Sequence, residues 1–155
     1  MDIQKDIFTI STEFRNDIID YFKDKKGLNC LEVGTYKGYT TEILSELFDN
    51  VIGLELLDHH IKDCKKFKNV EIRKFDVYKD KWNFKNIDVS FIDCGHDYNL
   101  CKSDLDNSLK IRGIKYIIFD DYGVWKGVKQ VVNEYIDNGI LEKVKFMGLN
   151  KNIPD

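Results

Sequence analysis

The sequence predicts an α/β fold, doubly wound around a mainly parallel sheet. Short apolar runs alternate with stretches of helical periodicity along the whole chain, which is the signature of strand, crossover helix and next strand. The runs at 51–56, 88–93 and 114–121 are apolar almost throughout, as strands covered on both faces are. Each strand end also carries an acid: Glu55 closes one, Asp93 another, and Asp120 and Asp121 a third. With 155 residues the chain is one domain by length, 1–155, of which 1–27 form an N-terminal arm and helix.

The elements follow in order. Residues 1–10 read as a loose arm, and Ser11 caps a helix with apolar positions Phe14, Ile18, Tyr21 and Phe22, ending near Gly27. Apolar Leu28, Cys30, Leu31 and Val33 make the first strand, and a glycine loop leads into a helix over 41–48 with Ile43, Leu44, Leu47 and Phe48 on one stripe. A buried strand spans 51–56, and Asp58 caps a helix through about Phe67. Residues 70–75 alternate as a strand ending at Asp76. A polar loop around Trp82 then leads to a strand at 88–93 and a helix from Asn99 to Lys110 with Cys101, Leu105 and Leu109 on its stripe. Gly113 opens the strand at 114–121. In the helix that follows, Val128, Val131, Val132, Tyr135 and Ile136 keep helical spacing until Asn138 and Gly139, and a last strand is expected over 141–147.

Composition narrows the function. Basic and acidic residues number 24 and 27, with the lysines scattered, so no electrostatic footprint for nucleic acid is present. Four cysteines without a C-x-x-C pair suit reduced thiols rather than disulfides or zinc. The N-terminus lacks the basic patch and apolar core of a signal peptide, and no run reaches membrane-spanning length. A cytoplasmic protein with neither nucleic-acid nor membrane partners is expected.

The stretch Cys30–Thr40, CLEVGTYKGYT, is the ligand-cradle candidate: a strand, a glycine turn and a helix N-terminus with unpaired N–H groups. Its order, Glu32-x-Gly34-x-x-x-Gly38, is not the G-x-G-x-x-G on which a pyrophosphate lies, so a ligand without phosphates is favoured. Glu55, roughly 20 residues on, can accept two hydrogen bonds from a ribose diol, a geometry that serves NAD as well as other adenosine ligands. In open α/β sheets the ligand lies outside the carboxyl ends of the strands, where Glu32, Gly34, Glu55, Asp76, Asp93, Asp120 and Asp121 gather.

The glycine loop resembles motif I of class I S-adenosylmethionine (SAM) dependent methyltransferases, GTYKGYT in particular being similar to the loop of catechol O-methyltransferase. The stretch 87–105, IDVSFIDCGHDYNLCKSDL, resembles the I-D-x-x-H-x-Y pattern of small bacterial and viral methyltransferases at Asp93, His96, Tyr98, Asp104 and Leu105. With IIFDDY the resemblance covers roughly 28–138. It implies a Rossmann-like methyltransferase fold that lacks sequence for the usual last antiparallel strand. It also implies SAM contacts from Glu32, Gly34, Thr35, Tyr36, Gly38, Tyr39, Thr40 and Asp93, with Glu55 on the ribose and Asp76 on the adenine. Asp76 equally suits a turn-capping acid. Asp93, Asp120 and Asp121 align with a divalent-metal site that would suit Mg2+. His96 is a candidate general base alongside Asp93, with a structural loop histidine as the other reading. The histidines at 59 and 60 suit exposed surface or adenosine-pocket lining.

The implied activity is methylation of a small hydroxylated acceptor, a sugar or a phenol. The N-terminal helix, the loop 77–86 with Trp82 and the loop 121–127 with Tyr122 and Trp125 would enclose it. The same aromatic loops suit an interface, and an exposed edge strand can pair in a homodimer. A SAM binder without turnover and an NAD-dependent oxidoreductase are the rival readings.

Overall fold

The computed structural model describes residues 10–64 and 67–148. Its elements are α1 (Thr12–Phe22), β1 (Asn29–Val33), α2 (Tyr39–Leu47), β2 (Asn50–Glu55), α3 (Asp58–Cys64), β3 (Val70–Lys74), β4 (Val89–Ile92), α4 (Tyr98–Leu109), β5 (Tyr116–Phe119) and α5 (Lys126–Asp137). The five strands form one sheet in the order β3-β2-β1-β4-β5, every pair parallel. From β1 the chain winds outward to β3, then returns to the other side of β1 as β4. The switch point therefore lies between β1 and β4, where a crevice opens beyond the strand ends.

Alternation along β1 divides the interior. Leu31 and Val33 join a core with Cys101 and Leu105 of α4 and Val128, Val131 and Tyr135 of α5. Cys30 faces the opposite core, with Phe14, Ile18 and Phe22 of α1 and Ile43 and Leu44 of α2. This is the period-two exchange of faces of a strand covered on both sides. Ser11 caps α1 by accepting from Phe14 N at 3.1 Å, and Asp97 caps α4 from Leu100 N at 3.0 Å. Asp58 instead opens α3, and its carboxylate takes Lys74 Nζ at 2.8 Å. Residues 65–66 of the expected helix end lie outside the described residues.

The strand expected over 141–147 does not form. That segment lies beside β5, but a cavity of about 400 Å³ keeps the two backbones apart, lined by Tyr116 and Ile118 on one side and Leu141 and Phe146 on the other. Its apolar positions are still placed: Phe146 packs edge-on against Tyr122 at 5.2 Å, and Met147 joins the core under α1. Among the described residues no helix is long and apolar enough to cross a membrane.

Candidate active site

A cleft of about 890 Å³ opens at the carboxyl ends of β1, β2, β4 and β5. Of the residues singled out in the sequence it brings together Gly34, Tyr36, Glu55, Asp93, His96, Asp120 and Asp121. Gly34 follows β1 with φ 93°, and a Cβ there would stand 2.2 Å from the Asp93 carbonyl oxygen. Glycine is thus required for the loop to close on the end of β4. Tyr36 takes a left-handed φ of 51°, a conformation a bulky residue adopts only when its surroundings impose it. One imposing contact is visible: Tyr36 N donates to Glu55 Oε2 at 2.8 Å, and Leu57 N donates to Oε1 at 2.8 Å. Glu55 is held by backbone donors with its remaining lone pairs free to accept.

His60 completes this end of the cleft. Its Nδ1 lies 3.5 Å from Glu55 Oε1, and its ring meets Tyr36 edge-on at 4.6 Å.

The remaining loop residues do not line the cleft. Glu32 points to the α2 face of the sheet, wholly buried, where Thr41 Oγ1 donates to it at 2.6 Å. Burial is the main reason its pKa rises to about 8. Thr35 is buried beside it. Gly38 has φ 81°, and a Cβ there would meet Cys64 Sγ at 2.7 Å, so this glycine serves helix packing. Tyr39 and Thr40 form the first turn of α2. Asp76 accepts from Tyr78 N at 3.1 Å and pairs with Lys79 at 3.3 Å, the arrangement of a turn-capping acid. Trp82 lies elsewhere, donating to Val77 O at 2.9 Å and packing on Phe75 and Phe84, so the loop 77–86 supplies a core aromatic where an acceptor wall was expected.

At the β4 and β5 ends, His96 Nε2 stands 2.9 Å from Asp121 Oδ2 and 3.9 Å from Asp93 Oδ1. It is aligned for a hydrogen bond to neither. The imidazole lies flat against Trp125, centroids 5.2 Å apart and planes within 4°. Asp121 has φ 62°, a second non-glycine residue in left-handed backbone at the cleft. One donor atom each from Asp93, His96 and Asp121 lie within 4.8 Å of one another, so the group that could hold an ion contains the histidine in place of Asp120. Burial, then the charges of Asp93 and Asp121, push Asp120 up to about 8; burial also raises Asp93. The Asp93 carboxyl, with Asp121 and Asp120 beside it, raises His96 above its ordinary 6.5 despite partial burial.

Sequence reading missed the far wall of the cleft. Ile10, assigned to the arm, is buried there, and Phe146 and Met147, assigned to a strand, line it with Phe14 and Phe119. The apolar identity of these positions was the available signal.

No family model matches the chain, and no curated protein matches it. Solved structures do. The fold is similar to a dimethyladenosine transferase from Plasmodium falciparum (TM-score 0.58, 20% identity, 71% of this chain and 42% of that one). It is similar to a SAM-dependent O-methyltransferase from Thermotoga maritima (0.61, 14%, 79% and 48%). It is also similar to the N-methyltransferase NodS from Bradyrhizobium japonicum (0.61, 15%, 79% and 79%). The chain thus spans less than half the length of the first two. At these identities the likeness establishes the architecture: a Rossmann-like α/β sheet shared with SAM-dependent methyltransferases.

Proposed function

We propose that this chain binds SAM and methylates a small hydroxylated acceptor such as a phenol or sugar. The observation that carries the reading is one cleft with two chemically different halves: Gly34, Tyr36, Glu55 and His60 at one end, and Asp93, His96, Asp120 and Asp121 between them and the apolar wall. The first half offers a carboxylate fixed by two backbone donors, suited to a ribose diol. When bound, SAM supplies a methyl group on a positively charged sulfur, which a nucleophilic oxygen can displace. Acids near that charge favour its binding. The wall of Phe14, Phe119, Phe146 and Met147 suits the body of an organic acceptor.

His96 is the group to take the acceptor proton. Its Nε2 faces the cleft acids without an aligned partner, and the carboxylates stabilise the imidazolium that forms. A divalent ion is the alternative to that base: Asp93, Asp121 and His96 would hold it, with Asp120 beside them, the imidazole then serving as ligand instead of base. A donor set containing an imidazole also suits Mn2+ or Zn2+ in place of Mg2+. Bound there, an ion makes an acceptor hydroxyl more acidic.

Calorimetric titration with SAM and with S-adenosylhomocysteine (SAH), beside NAD as a control, tests the reading. Binding of the two sulfur ligands with none of NAD is the expected result. Absence of both overturns it. A binder without turnover is the second reading, favoured by an acceptor wall that rests, among the described residues, on Phe146 and Met147 of a segment that joins no strand. Methyl transfer to any acceptor removes that reading.

A further inference from the structure

The loop from Asp93 to Asp97 carries the chemistry of the proposed site, and its backbone is gripped from several sides. Asp93 N donates to Val33 O at 3.0 Å at one end, and Asp97 caps α4 at the other. A Cβ at Gly127 would stand 2.6 Å from His96 O, so the first turn of α5 lies directly on the loop. A Cβ at Gly95 would stand 2.3 Å from Leu100 Cβ and 2.4 Å from Tyr78 Oη, so α4 and Tyr78 close the underside.

In that underside is an acid with no evident reason to be there. Asp104, in the middle of α4, is 0% exposed. Its Oδ2 accepts from Gly95 N at 3.4 Å and from Tyr78 Oη at 3.3 Å, while Oδ1 has no partner. No basic side chain faces it among the described residues. A buried acid without a countercharge costs stability, and an oxygen of it left without a hydrogen-bond partner adds to that cost. Residues that fold poorly for their position are found where function holds them.

We propose that Asp104 is a positioning residue: from inside α4 its carboxyl holds the Gly95 amide and the Tyr78 hydroxyl, so that the loop presents the His96 imidazole to Asp121 and flat against Trp125. The role rests on reading the cleft as a methyl-transfer site, with His96 as the working base. Asp104 itself does not reach the cleft.

The His96–Trp125 stack gives a readout that needs no acceptor, because an imidazole on the face of an indole quenches its fluorescence. In a Trp82→Phe background Trp125 is the sole indole. His96→Ala then sets the unquenched level. Asp104→Leu and Asp104→Ser are expected to release Trp125 emission to that level, with SAH affinity unchanged. Asp104→Asn, which still offers an oxygen to Gly95 N, should restore the quenching. Quenching at the parent level in Asp104→Leu overturns the proposal. So does failure of both the leucine and serine variants to fold, since the acid is then structural. If the parent binds no SAH, the methyltransferase reading fails, while the emission series still decides whether Asp104 sets the stack.

Discussion

Glu32 and Glu55 are both buried acids at the glycine loop, and their partners give them different work. Glu55 accepts from two backbone amides at the cleft, whereas Glu32 takes the Thr41 hydroxyl under α2 with the Thr35 side chain beside it. Glu55→Gln places an amide NH2 against Tyr36 N or Leu57 N and should weaken SAM binding by about 1–3 kcal/mol, read by calorimetry. Unchanged affinity would take Glu55 out of the ribose role. Glu32→Gln should leave affinity nearly intact and act on the pH dependence of stability. The Glu32 carboxyl ionises near 4.5 in the unfolded chain and near 8 in the folded one, so between these values the unfolded state binds fewer protons. Stability from this group is full below 4.5 and lost as pH rises through 8. Asp104, raised to about 7, and Asp120, raised to about 8, act in the same direction. The thermal midpoint should therefore fall between pH 6 and 9 (~5 °C or more, at about 2–4 °C per kcal/mol for a chain of this size). Glu32→Gln should flatten that slope; an unaltered slope would show that Glu32 is ionised in the fold. His96 carries the opposite demand. As a base it must be neutral, so turnover should rise through a midpoint above 6.5, and Asp121→Asn should move that midpoint down.

The β1–α2 loop shows how much an element reveals before its neighbours are known. Its strand, turn and helix were legible, because a short apolar run, two glycines and a helical stripe leave few alternatives. The reasons for the glycines were not. Gly34 clears the Asp93 carbonyl and Gly38 clears Cys64 Sγ, both contacts with segments far along the chain. Gly34→Ala should accordingly cost about 2–4 kcal/mol of folding stability, since the backbone carbonyl cannot move aside and φ is left-handed. A denaturant melt checks it, and a loss under about 1 kcal/mol would show that the loop shifts to admit the methyl group. The helix α5 was legible from its spacing alone. Residues 141–147 were not, because alternation of apolar and charged side chains describes any extended segment with one face on a core, paired or unpaired. Trp82 misled for a related reason: an aromatic in a loop after a strand suits a binding site, and only the partners Val77 O and Phe84 assign it to local structure. For Asp76 the contact with Tyr78 N is the one its turn-capping reading asks for.

At the scale of the whole molecule the cleft joins segments that share no local structure, from Ile10 beside α1 to Met147 beyond α5. A ligand that fills it therefore bridges both ends of the described chain and both sides of the switch point, and its binding energy becomes folding energy. By mass action a ligand at 100 times its dissociation constant adds about 2.7 kcal/mol, which for a chain of this size raises the thermal midpoint by about 5–10 °C. SAH should produce that shift and NAD none, because the loop lacks the glycine order that cradles a pyrophosphate. A divalent ion, where it binds and His96 is its ligand instead of the base, should add a second, separate increment, abolished by EDTA, because its donors Asp93, His96 and Asp121 come from the loop after β4 and the loop after β5. Asp121→Asn should remove the ion's increment and keep most of the SAH shift, while Asp120→Asn, outside the donor group, should weaken it less. An ion increment that survives Asp121→Asn and His96→Ala together would place the metal elsewhere. No increment from any divalent ion would leave His96, with the carboxylates that stabilise its charged form, as the base that works alone.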